Sequence, residues 1–110
     1  MTTPTRREKF EAMLAAEPRD AFLRYALAME YEKEGQHQRS LELLRGLMAE
    51  NPPHVPSYFM AAQHLTKQDR VAEARDTLRA GIEQARQHGN SHAAAEMSEF
   101  LAGLGNLGDG

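Results

Sequence analysis

Apolar residues recur along this chain at three- and four-residue steps, the period of helices, and strand signals are absent. The stretches that carry the pattern are divided by residues that stop helices. Pro18 follows Glu17, Gly35 follows Glu34, and Asn51-Pro52-Pro53 breaks the middle; further on, Gln68-Asp69-Arg70 interrupts the pattern and Gly89-Asn90 follows His88. Proline lacks a backbone donor and clashes with the preceding turn, while glycine accepts the left-handed conformation that closes a helix. Six helices are expected, at about residues 5–16, 20–34, 37–50, 54–67, 71–88 and 91–104. Links of about two to four residues force neighbouring helices antiparallel. Residues 105–110, glycine-rich and following the last pattern, are expected to form a flexible tail.

The pattern is also periodic on a longer scale. When residues 21–54 are written above residues 55–88, two blocks of 34 align: Tyr25 over Phe59, Ala28 over Ala62, Lys33 over Lys67, Leu44 over Leu78. Small residues recur where two helices must approach closely, at Ala28 and Ala62 and again at Ser40 and Ala74. Upstream, Phe10, Met13 and Pro18 stand 34 residues before Leu44, Leu47 and Pro52, so the first helix reads as the second half of an incomplete unit. The last helix reads as the opening half of a third, displaced by about two residues. Its apolar face is Ala94, Met97, Leu101 and Leu104, with Phe100 beside them. Hairpins with apolar residues on more than one side cannot bury them alone and must stack. The residues expected in the core are Leu27, Ala28, Tyr31, Leu41, Leu44, Leu47, Ala61, Ala62, Leu65, Ala74 and Leu78. The end helices should then turn a polar face outward, through Arg6, Arg7, Glu8, Lys9 and Glu11 at one end and Glu96 and Glu99 at the other.

At these residues the chain resembles the tetratricopeptide repeat family, whose 34-residue unit reads W-x2-L-G-x2-Y, then A-x3-F, then P. The first block carries Arg24, Leu27, Ala28 and Tyr31, then Ser40 and Leu44, then Pro52. The second carries Tyr58, Ala61, Ala62 and Leu65, then Ala74 and Leu78. Arg24 departs from the usual aromatic, Asp69 from the turn glycine, and Arg86 from the closing proline; without that proline the fifth helix can run to Gly89. The resemblance implies an all-α fold of antiparallel helix hairpins stacked in a short right-handed superhelix. It implies one domain over residues 1–104: a half repeat at about 5–18, repeats at 21–54 and 55–88, and a capping helix at about 91–104.

Composition narrows the function. The chain has 110 residues, 41% hydrophobic and 26% charged, enough for one helical domain. It has no cysteine, which removes disulfides, thiolate metal sites and cysteine nucleophiles. The 13 basic residues are scattered among 16 acidic ones, for a net charge of −3, so no phosphate-neutralising surface is expected and no nucleic-acid partner. No signal-like or membrane-spanning apolar run occurs, and a cytoplasmic protein with no membrane partner is expected. His88 and His92 have the four-residue spacing of a helical metal pair, but Gly89-Asn90 lies between them. The five histidines, His37, His54, His64, His88 and His92, therefore read as exposed turn and surface residues. No cofactor, metal or catalytic residue is expected, since no phosphate loop or serine elbow appears and the carboxylates read as solvated helix faces. Met13, Met48 and Met97 read as core filling.

What remains is binding. Phe22, Tyr25 and Met29 form a second apolar stripe on the second helix, separate from its core positions. In the family, the first helix of each repeat lines a concave groove, and the resemblance places this stripe there. Phe59, Gln63 and Lys67 hold the equivalent region of the next repeat, with Tyr25 and Phe59 expected as near neighbours. Some relatives grip a partner's C-terminal carboxylate with lysine, asparagine and arginine; the matching positions here are Tyr25, Met29 and Met60, so a hydrophobic or amphipathic peptide is the expected partner. The alternative is a structural element that self-associates through the same stripe, and the expected state is a monomer or weak homodimer.

Overall fold

The structure, a computed structural model, describes residues 2–105; the rest of the expected tail, 106–110, lies outside them. Six helices and no strand occur among the described residues: α1 (Arg6–Ala16), α2 (Ala21–Lys33), α3 (His37–Met48), α4 (Val55–Lys67), α5 (Val71–Gln87) and α6 (Ser91–Leu104). Each end lies within about two residues of its expected place. Thr5 and Glu8 form a reciprocal capping box on α1. Asp20 and Asn90 accept from the backbone N–H groups of Leu23 and Ala93, satisfying otherwise orphaned donors at the starts of α2 and α6.

The helix stops are themselves repeated. The backbone N–H groups of Gln36, Arg70 and Asn90 donate back to the carbonyls of Tyr31, Leu65 and Ala85, at 2.8, 2.9 and 2.7 Å. The residue before each is left-handed: Gly35 at φ 77°, Asp69 at φ 61° and Gly89 at φ 72°. These are three copies of one C-terminal cap. Asp69 stands 34 residues after Gly35 and takes the same conformation in glycine's place, so the departure in sequence is not one in backbone.

Hairpins α2–α3 and α4–α5 pack through the small residues the repeat aligns. Ala28, Ala62, Ser40 and Ala74 are fully buried, as are Leu41, Leu44, Leu47, Leu78 and Met97. All eleven residues expected in the core are buried, joined by Leu23, Val55, Val71, Ile82, Ala85, Ala94 and Leu104. Arg24 lies mostly buried in the slot where the second repeat carries Tyr58, and it pairs with Glu50. On the other side of that slot the second repeat has Gly81. A Cβ there would fall 2.6 Å from the Tyr58 Cβ and 2.7 Å from the Met97 sulfur, so this close approach requires glycine.

The ends differ from expectation. α1 buries none of its residues, and Met13, expected in the core, is 51% exposed. Its equivalent Leu47 packs inside a complete hairpin, whereas α1 packs chiefly against α2. Of the polar face expected on α1, Arg6, Glu8 and Lys9 are exposed, while Arg7 and Glu11 turn partly toward α2. Arg6 pairs with Glu30 at 2.9 Å, Arg7 with Glu34 at 2.7 Å, and Glu11 accepts from the Tyr31 hydroxyl at 2.8 Å. α1 is thus held to α2 largely by ion pairs and hydrogen bonds. No described helix is long and apolar enough to cross a membrane.

Candidate functional site

The first helices of successive units, α2, α4 and α6, line one side of the stack, and their side chains enclose a two-part cleft centred on Phe59. One part, about 320 Å³, lies among Tyr25, Phe59, Met60, Gln63, His92 and Glu96. The other, about 640 Å³, lies among Phe59, Thr66, Glu96, Glu99, Phe100 and Leu104. Phe59 and Glu96 belong to both. The Phe59 ring meets the Phe100 ring edge-on, with centroids 5.4 Å apart and planes at 69°. Such a pair is worth about 0.5–1.5 kcal/mol beyond its burial.

Of the expected groove residues, the cleft brings together Tyr25, Phe59 and Gln63. Phe22, 73% exposed, Met29, 36% exposed, and Lys67 stand outside it. The two aromatics expected as near neighbours have other partners. His54, at the start of α4, packs against Tyr25 with ring centroids 5.2 Å apart and planes tilted at 57°, while Phe59 meets Phe100 of α6. The far wall, Phe100 with Glu96 and Glu99, was not expected. Both glutamates, expected on an outer capping face, stand on the cleft side. Burial raises the Tyr25 phenol above its ordinary value at the cleft wall.

The histidines divide. His37 and His92 are exposed and sit beside carboxylates, His37 Nδ1 2.9 Å from Glu32 and His92 Nε2 3.1 Å from Glu96. His64, expected at the surface, is only 4% exposed. Its Nδ1 lies 3.4 Å from the Ser40 hydroxyl and 3.5 Å from Glu32 Oε2, at the junction of α2, α3 and α4. It reads as a surface residue in one dimension because its neighbours Gln63 and Lys67 are polar. No group of three or more histidine and acidic side chains placed to hold a metal occurs among the described residues. His88 ends α5 and His92 lies in α6, so the pair does not share a helix.

Burial holds His64 below the ordinary histidine value of 6.5, against the opposing pull of Glu32, and burial does the same to His54. With depressed folded values, the unfolded chain takes protons that the folded one refuses. The stability these residues contribute is present above about pH 6.5 and is lost as pH falls through their lowered folded values. The melting temperature should therefore fall between about pH 8 and about pH 5.5, and His64→Gln with His54→Gln should flatten that dependence. An unchanged slope in the double variant would place the titrating groups elsewhere.

The family model described as tetratricopeptide repeat matches residues 31–97. A TPR repeat-containing protein of Pseudomonas aeruginosa is 29% identical over 97 residues, 88% of this chain and 92% of its own. The solution structure of a tetratricopeptide repeat domain protein from Salinibacter ruber superposes with a TM-score of 0.75 at 33% identity, covering 82% of this chain and 91% of that one. A solution structure from Bordetella parapertussis gives a TM-score of 0.77 at 26% identity, covering 93% and 89%.

Proposed function

This chain belongs to the tetratricopeptide repeat family, whose members are generally protein-interaction scaffolds rather than enzymes, and from that premise we propose that it binds an apolar segment of another protein in the α4–α6 cleft. The observation that carries this reading is the half-buried Phe59, which lines both parts of the cleft and packs edge-on against Phe100. Rigid aromatics at the centre of a concavity with polar groups at its edge are typical anchors. Tyr25 and Gln63 extend the site toward α2, and Phe22, Met29 and Lys67 would meet only a longer partner. The division into a half repeat, two repeats and a capping helix belongs to the same reading, since α6 acts both as cap and as cleft wall.

Capture from the native host, with identification of the bound protein, tests the proposal. Phe59→Ala should weaken the captured interaction at least about tenfold while helicity is retained, since an aromatic anchor carries about 2 kcal/mol and 1.4 kcal/mol is a factor of ten. Equal binding by the variant would remove the cleft from the function. A second reading has its own observation: the exposed Phe22 and Met29 share a face of α2 outside the cleft. If they join two copies, sizing will show a concentration-dependent dimer that Phe22→Ala disperses.

A further inference from the structure

We propose that the segment taken by this cleft is cationic, with apolar side chains flanked by lysine or arginine; this rests on the cleft being the binding site. No lysine or arginine lines either part. The acidic side chains there are Glu96 and Glu99, with Thr66 and Gln63 opposite on α4. Six acidic side chains elsewhere, Glu11, Glu30, Glu34, Glu50, Glu73 and Asp76, pair with an arginine, whereas Glu42 and Glu83, like the cleft pair, have none among the described residues. Glu96 has only His92, and Glu99 has no ion pair among the described residues. Three residues apart on one helix, the two carboxylates lie on the same face, directly beside Phe100. A partner that seats an apolar side chain against the Phe59–Phe100 pair brings its neighbouring residues against them.

Two other occupants fit less well. A second copy docked symmetrically through this cleft would bring four carboxylates into one interface, none with a lysine or arginine partner among the described residues, which like-charge repulsion disfavours. The last described residue of this chain, Gly105, is tied elsewhere: its carbonyl accepts from Arg75 at 2.5 Å, on a surface with Ala72, Asp76 and Arg79 that shares no residue with the cleft. Another protein's basic, apolar segment is the occupant whose charge the site complements.

Three fluorescent amphipathic peptides test this, alike in their apolar residues and carrying lysine, glutamine or glutamate on the polar face. The lysine peptide should bind the wild-type protein about tenfold more tightly than the glutamate peptide at low salt, and the preference should shrink as salt screens it. In Glu96→Gln/Glu99→Gln the preference should fall below about twofold. In the charge-matched control Glu42→Gln/Glu83→Gln, altered on α3 and α5, it should persist, which separates the site from the protein's general acidity. If all three peptides bind alike and all are weakened by Phe59→Ala, the cleft stands and the charge proposal is overturned. If the lysine peptide binds but ignores both Phe59→Ala and the paired glutamine variant, the cleft itself fails. Binding by none of the peptides would also overturn the charge proposal, and the captured partner would still report on the cleft.

Discussion

Removal of residues 91–110 is expected to leave a protein that aggregates or loses a large part of its helicity. α6 covers the apolar side of α5 and the edge of α4. Met97 is fully buried, with its sulfur against the Gly81 backbone, and Ala94 and Leu104 are buried beside it. Fully burying a methionine or leucine contributes about 1.5–3 kcal/mol. The partners Ile82, Ala85 and Phe59 would be exposed at the same time, so the loss approaches the whole stability of a small domain, about 5–15 kcal/mol. Terminal units shield the interior of a stack and have no substitute when removed. Circular dichroism with light scattering measures the outcome. A shortened protein that stays monomeric and melts unchanged would make α6 an appendage, and with it the cleft wall.

Truncation of Leu44 to alanine should destabilise the protein by about 2–5 kcal/mol in a denaturant titration. Leu44 is fully buried on α3 in the hairpin with α2, among close-packed neighbours that include Ala28 and Leu41. Small residues at Ala28 and Ser40 let the backbones approach closely and leave little freedom to collapse into the space. Met13→Ala, on exposed α1, should cost well under 1 kcal/mol by comparison. A Leu44→Ala loss below about half a kcal/mol would mean the register of the repeat is wrong.

The core was legible in the sequence because burial follows the 34-residue register. Each helix supplies its own period, and Ala28 over Ala62 or Leu44 over Leu78 reports the same packing position twice. The chain ends were not legible, because what they pack against is set by the number of units rather than by local pattern. Met13 matches Leu47 in sequence and still lies exposed, since α1 packs chiefly against one helix. The site was half legible. Tyr25, Phe59 and Gln63 followed from the repeat, while the α6 wall was missed because the register slips there by about two residues. Carried through that slip, Phe100 takes the position of His64, which faces the preceding first helix through Glu32. The burial of His64 itself had no signal in composition or spacing, because a single polar residue on a helix face reads as solvated.

The most direct test of the account is a map of backbone amide shifts as the captured partner, or the lysine peptide, is titrated into the isotope-labelled protein. The account predicts that the largest changes cluster at Tyr25, Phe59, Gln63, Glu96, Glu99 and Phe100, with Glu42 on α3 and Glu83 on α5 unmoved. Changes centred on α3 and α5, or on Phe22 and Met29 with Phe59 silent, would contradict it.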